Sequence, residues 1–203
     1  MNKLEAAAYV ISQFEGFSPI IYKDVAGYPT IGYGHLITSH DDYDADTHLT
    51  HEQGIELLMK DIESRRRIFA SSLDVLDVGE YAALMSLVFN IGGGAYAKSS
   101  VAVAIYKYCC VRHAKQEQYD IAERVSHWRR AAGKIVAGLM KRRLVETMVF
   151  LNEILDIDGP KPTEQLGSPV PMMITDENWG KLSKELRADA IEMAKDILGH
   201  INA

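Results

Sequence analysis

Residues 14–35, F-E-G-F-S-P-I-I-Y-K-D-V-A-G-Y-P-T-I-G-Y-G-H, decide how this chain is read. Their β-branched and aromatic residues are broken by Gly27, Pro29, Gly32 and Gly34, a pattern that predicts a small antiparallel sheet with tight turns. Just upstream, Leu4, Ala7, Ala8, Ile11 and Phe14 recur at helical spacing and Gly16 supplies a stop, so a short amphipathic helix ends beside Glu15. Glu15 therefore sits between Phe14 and Phe17, an apolar setting suited to a carboxyl that acts in its protonated form. Asp24 follows in a more polar, open turn, and Thr30 lies on the next strand.

Cleavage of a glycosidic bond needs one protonated carboxylic acid for the leaving oxygen and a second carboxylate to activate water or to attack. Glu15 and Asp24 offer such a pair, and the Thr30 hydroxyl, which both donates and accepts, completes a place for a hydrolytic water. Taken singly, a Glu after a helix is most often a solvated cap and an Asp before a glycine turn is most often turn chemistry. The ordered combination changes that weighting.

Working outward, an acidic loop at residues 40–48, H-D-D-Y-D-A-D-T-H, precedes Thr50, which with Gln53 forms a capping-box pattern. A helix is predicted from there to about Ala70, through Ile55, Leu58, Met59, Ile62 and Phe69. Tyr81–Ile91, Val101–Cys110, Tyr119–Trp128 and Leu139–Leu155 repeat the helical spacing, which predicts an all-helical second lobe. Residues 158–173 hold four of the six prolines and mark a linker and a boundary near residue 157. A last amphipathic helix follows, with Trp179, Leu182, Leu186, Ile191, Ala194, Ile197, Leu198 and Ile201 on its apolar face. The organisation expected is a catalytic domain over 1–156 and, over 157–203, a linker plus a helix docked on that domain.

At 203 residues with 47% hydrophobic composition, the chain can bury a core without staples. Its two cysteines, Cys109 and Cys110, are adjacent and form no disulfide framework. The net charge of −6 is unevenly placed: residues 1–59 hold two Lys/Arg against nine Asp/Glu, and residues 60–156 hold fifteen against eleven. The acidic balance argues against a nucleic-acid binder. Lys3, Glu5, Gln13 and Glu15 interrupt any apolar signal core, so neither a signal peptide nor a membrane span is expected.

Asp42, Asp44 and Asp46 alternate as in a calcium loop, but Thr47 and Gln53 stand where that loop needs Gly and Glu. His40, His48 and His51 beside them have metal-ligand chemistry, yet a solvated loop is the stronger reading, and no metal or other cofactor is expected. Arg65, Arg66 and Arg67 read as a solvated helix face, with contact to an anionic wall polymer as the minor alternative.

E-G-F, Tyr22, Asp24, Gly27 and T-I-G-Y-G-H in that order resemble the active-site segment of phage-type lysozymes, the endolysin muramidases of glycoside hydrolase family 24. In that family a Glu, an Asp nine residues on and a Thr or Cys six residues later form the catalytic centre, which falls here on Glu15, Asp24 and Thr30. L-T-H-E-Q-G-I-E-L-L-M-K-D-I at 49–62 resembles the helix joining the two lobes. L-V-F-N-I-G-G-G-A-Y at 87–96 and W-R-R-A-A-G-K-I-V-A-G-L-M-K-R-R-L-V-E at 128–146 resemble second-lobe motifs, so the likeness covers about residues 3–155.

The resemblance implies an α+β, mostly helical fold: a small sheet-bearing lobe, a long connecting helix and a helical C-terminal lobe around a cleft. It implies that Gly34, Leu36, Phe89 and Ser99 line a saccharide groove, that His35 is structural, and that Arg142 or Arg143 approaches Glu15. The implied reaction is hydrolysis of the β-1,4 bond between N-acetylmuramic acid and N-acetylglucosamine in peptidoglycan, with inversion, for which carboxyl groups stand about 6.5–9.5 Å apart. The alternatives are a lytic transglycosylase, which has no need of a water-holding Asp and Thr, and a non-catalytic peptidoglycan-binding delivery module. The chain is expected to act as a monomer, made in the host cytoplasm and reaching the periplasmic wall through a holin or a secretion system.

Overall fold

Asn2 opens the first helix, α1 (Lys3–Ser12), through a capping box: its side chain accepts the Glu5 N–H at 2.9 Å, and the Glu5 carboxylate accepts the Asn2 N–H at 3.0 Å. The buried face is Ala6, Ala7, Ala8, Val10 and Ile11, mostly small side chains that bring α1 close to the apolar helix α3 (Val78–Ile91). The structure, a computed structural model, describes residues 1–69, 73–110, 115–155 and 182–203. The proline-rich stretch, the boundary near residue 157 and Trp179 lie outside the described residues.

Past α1 the chain turns through Glu15, whose N–H still donates to the Ile11 carbonyl at 3.0 Å, and enters an antiparallel sheet. Strands β1 (Ser18–Lys23), β2 (Pro29–Gly32) and β3 (His35–Leu36) pair in that order. The register sets Thr30 opposite Tyr22 on one side and Leu36 on the other. Thr50 then caps α2 (His51–Arg65), again by a capping box, with Gln53. Gly54 of α2 is required by contact: a Cβ there would stand 2.5 Å from the Phe17 ring. The sheet thus rests on α2 at the one turn where that helix has no side chain.

The second lobe is built around α3, whose residues Gly79–Val88 are all buried. Around it lie the short α4 (Gly93–Ala97), α5 (Ser100–Cys110), α6 (Lys115–Ser126) and α7 (Ala137–Leu151). The expectation of an all-helical lobe needs correction, because β4 (Arg130–Ala131) and β5 (Lys134–Ile135) form a small hairpin before α7. Its turn is Ala132-Gly133, with φ of 48° and 76°, the paired left-handed conformation that closes tight hairpins. Two helix ends also fall short of expectation. The connecting helix gives way to a 3-10 turn at Arg66–Ile68, and α7 stops at Leu151 because Asn152 adopts the left-handed conformation, φ 51°.

The last helix, α8 (Lys184–Asn202), begins at a Ser183 cap and lays Ala190, Ala194, Ile197, Leu198 and Ile201 into buried positions. Ala190, Ala194, Ile197 and Ile201 join Leu182 in the same core as α1, α3 and α7, and Leu186 and Ile191 pack at its edge. Polar ties help hold it: Tyr9 donates to Asp196 at 2.6 Å and lies 3.3 Å from His200 Nδ1, Lys141 lies 2.5 Å from Asp189, and Asn202 donates to Asn152 at 3.1 Å. Among the described residues no helix is long and apolar enough to cross a membrane.

Candidate active site

The turn after α1 carries Glu15, and α7 delivers its partner. Arg142 Nη1 donates to Glu15 Oε1 at 2.6 Å, joining residues 127 positions apart. Arg142 is buried, whereas the Glu15 side chain keeps 28% exposure, so the acid is open to solvent on one side and held by a cation on the other. The Phe14 ring lies under the guanidinium, 4.9 Å from its centre. Of the two arginines expected near the acid, Arg142 makes this contact. Arg143 instead turns wholly into the protein, with Nε 2.7 Å from Glu146 Oε2 and Nη2 donating to Oε1 at 2.8 Å. Burial pulls the Arg143 guanidinium below its ordinary value, and Glu146 opposes that pull.

Asp24 directly follows β1, two residues after Tyr22. Its Oδ1 accepts the N–H groups of Ala26 at 2.9 Å and Tyr28 at 2.8 Å, an Asx turn that fixes the carboxylate. Both bonds fall on Oδ1. Thr30, 3% exposed, donates from Oγ1 to the Tyr28 carbonyl at 3.1 Å, so its lone pairs rather than its proton remain for a further partner. Burial pushes the Tyr22 hydroxyl above its ordinary value, and the charges of Asp24 and Glu15 push the same way. Tyr22 thus stands in the field of both carboxylates. That residue was part of the quoted motif but was assigned no role there; on β1 it stands opposite Thr30 of β2.

The remaining expected site residues are scattered along the same side of the sequence motif and beyond it. Gly34, φ +89°, makes the β2–β3 turn with open space where a Cβ would stand, and Leu36 next to it is 48% exposed. Phe89, on α3, is half-buried under the Arg65 guanidinium, 4.5 Å from the ring centre. Arg65 is therefore a stacked side chain rather than a freely solvated one. Ser99 is buried and its Oγ accepts the Ala102 N–H at 3.1 Å, capping α5. His35 lies between two carboxylates, with Nδ1 3.0 Å from Asp61 and Nε2 3.3 Å from Asp41, which ties β3 to α2 and to the acidic loop. That loop closes on itself through Asp44, which accepts from Thr47 Oγ1 and from the Asp46 N–H. No group of three His, Cys, Asp or Glu side chains arranged for a metal occurs among the described residues.

Sequence reasoning missed two residues altogether. Ser86 of α3 donates from Oγ to Glu146 Oε1 at 2.7 Å, and Arg142 Nε donates to the same oxygen at 3.1 Å, so both buried groups hold the arginine that meets Glu15. The available signal was the spacing of Arg142, Arg143 and Glu146, four and three residues apart on one helix.

A small antiparallel sheet beside a helical lobe, tied together where Arg142 of α7 meets Glu15, forms a lysozyme-like fold. A crystal structure of a P22 lysozyme mutant matches it with a TM-score of 0.59 at 27% identity, over 71% of this chain and 94% of that one. The chain belongs to the Phage lysozyme family, a family of glycoside hydrolases, whose sequence profile matches residues 12–146. It is similar to the endolysin of Salmonella phage P22, 32% identical over 133 residues that make up 64% of this chain and 85% of that protein. With the endolysin of Bacillus phage B103 it shares 31% identity over 162 residues, 74% of this chain. The match spans 54% of that relative's length.

Proposed function

We propose that this protein is a muramidase that hydrolyses the β-1,4 bond between N-acetylmuramic acid and N-acetylglucosamine in bacterial peptidoglycan. The observation that carries the reading is two carboxylates held by different means, Glu15 by Arg142 Nη1 at 2.6 Å and Asp24 by the N–H groups of Ala26 and Tyr28 at 2.9 and 2.8 Å. Glu15, half open to solvent, is the general acid that protonates the leaving glycosidic oxygen. Once it has given up the proton, the Arg142 guanidinium stabilises the carboxylate left behind. Asp24, fixed through Oδ1, takes a proton from the attacking water through Oδ2, and Thr30 Oγ1 accepts the other hydrogen of that water. Attack by a bound water implies inversion at the anomeric carbon.

A lytic transglycosylase would leave Asp24 and Thr30 without a task, which favours hydrolysis. A delivery module without catalysis would have no use for a cation held against Glu15. Delivery through a holin or a secretion system, action on the periplasmic wall and a monomeric state complete the reading. The test is mass spectrometry of the muropeptides released from purified sacculi. Hydrolysis yields reducing N-acetylmuramic ends, transglycosylation anhydro ends, and a binding module nothing. Glu15→Gln should lower turnover by about 10²-fold or more while the fold survives; more than about a tenth of wild-type activity in that variant refutes the assignment.

A further inference from the structure

The α7 sequence K-R-R-L-V-E-T buries four polar residues in succession along one face: Arg142, Arg143, Glu146 and Thr147 are 4%, 0%, 0% and 0% exposed. Charges are removed from water in this way only when each is matched. Here two guanidinium groups face two carboxylates, Glu146 inside and the part-exposed Glu15.

Every donor-bearing nitrogen of Arg142 has an assigned partner. Nε donates to Glu146 Oε1 at 3.1 Å, and Nη2 to the Ser86 carbonyl at 3.1 Å and to Ser86 Oγ at 3.2 Å. Only Nη1 reaches outward, to Glu15 at 2.6 Å. Ser86 Oγ in turn donates to Glu146 Oε1 at 2.7 Å, and Arg143 grips both oxygens of Glu146. Arg143 Nη1 also lies 3.5 Å from the Trp128 carbonyl, ahead of the β4–β5 hairpin. A guanidinium is planar and rigid, so fixing two of its nitrogens fixes the direction of the third.

We propose that Glu146, with Ser86, is a positioning residue for the general acid: it aims Arg142 Nη1 at Glu15 and sets how much uncompensated positive charge Glu15 faces. The proposal rests on the reading of Glu15 as the acid. The groups that face this cluster are Arg142 and Arg143 from α7, Ser86 from α3, the Trp128 carbonyl, and Glu15 itself, whose charge, with that of Asp24, also reaches Tyr22 on the sheet. With Glu146 made neutral, two guanidinium charges would act on Glu15 as the one remaining carboxylate of the cluster. Its ionised form would be favoured, and the protonated form needed for catalysis would be lost at lower pH.

The experiment is initial-rate kinetics on purified sacculi across pH for wild type, Glu146→Gln, Glu146→Asp, Ser86→Ala and Glu15→Gln, each checked for folding by circular dichroism. For Glu146→Gln, kcat should fall roughly 10- to 100-fold with little change in KM. The alkaline limb of its pH–rate profile should move toward acid. Glu146→Asp keeps the charge and should keep the limb near wild type while recovering part of kcat. Should Glu146→Gln fail to fold, a folded Ser86→Ala carries the test: it should lose kcat and not KM, and wild-type kcat there overturns the proposal. A Glu146→Gln enzyme with wild-type kcat and limb overturns it too, as does an equal loss in Gln and Asp variants with the limb unmoved, the mark of a purely structural residue. Full activity in Glu15→Gln overturns the reading of the site and this proposal together; an inactive Glu15→Gln beside an unperturbed Glu146→Gln overturns this proposal alone.

Discussion

Replacing Ile197 by Ala tests whether α8 is a working part of the folded domain in solution. Ile197 is fully buried and belongs to the same core as Val10, Ile11 and Val149. Removing its branched side chain forfeits the transfer free energy of the lost methylenes and leaves a cavity, together about 2–5 kcal/mol for a site of this kind. For a domain of this size each kcal/mol moves the melting temperature by about 2–4 °C, so a mid-range loss of about 3 kcal/mol predicts a drop of roughly 6–12 °C. Differential scanning calorimetry measures it, with Val103→Ala as control, because Val103 is 58% exposed on α5 and its truncation should move the transition by about 2 °C or less. Turnover on sacculi, assayed well below both transitions, should be unchanged, since α8 carries none of the residues proposed for the site. A melting temperature shifted no further than in the Val103 control would mean that α8 does not rest on the core, and the docking of the C-terminal segment would have to be abandoned.

Two predictions concern pH. Hydrogen bonds from the Thr38 N–H and hydroxyl, at 2.7 and 2.8 Å, hold the Asp41 carboxyl below its ordinary value, and nearby His35 adds to the effect. A carboxyl lowered by folding stabilises the protein above its ordinary value of 3.8 and loses that contribution as pH falls through the lowered one. Asp41→Asn should therefore melt below wild type at neutral pH, with the gap narrowing under acid; thermal scans from neutral pH to about pH 3 that keep a constant gap would contradict this. Burial, and next the hydrogen bond to Asp196, push the Tyr9 hydroxyl up to about 12. A group raised by folding stabilises below its ordinary value of 10.0 and loses that contribution as pH rises through the raised one, so urea unfolding should show a deficit in Tyr9→Phe at neutral pH that closes in alkali.

Much of the fold was legible in the sequence because it depends on local signals. Gly27 and Pro29 fix a turn whatever surrounds them, and Thr50 with Gln53 caps α2 by contacts within four residues. The three residues proposed for catalysis stood out through order and spacing alone, since Glu15, Asp24 and Thr30 all lie within one short stretch of chain. The hairpin at Arg130–Ile135 escaped for the opposite reason. Its strands are two residues each, too short for alternation to register, and its one local cue, Ala132-Gly133, is a weak member of the turn pairs that close hairpins.

The Arg142–Glu146 cluster was hidden by a different physical cause. Periodicity assigns charged residues to the solvent face of a helix because burying a charge alone costs several kcal/mol. On α7 that inference inverts, as Arg143 and Glu146 are fully buried while Gly138 and Lys141 lie nearer the surface. The partners that permit it come from residues far away in sequence: Ser86 is 60 positions from Glu146, and Glu15 is 127 from Arg142. Reading the helix alone therefore yields the right element and its apolar face, Met140, Leu144, Val145 and Met148, but not the burial of the charged residues beside it. The same distance explains why Arg142 meets the acid and Arg143 does not. Adjacent residues on a helix point about 100° apart, so once Met140 and Leu144 face the core, one arginine is directed along α3 toward the cleft and the other toward the Trp128 carbonyl. Which of the two reaches Glu15 is settled by the packing of α7 on α3, where Gly79 lets the helices meet so closely that a Cβ would stand 2.7 Å from the Val149 carbonyl oxygen.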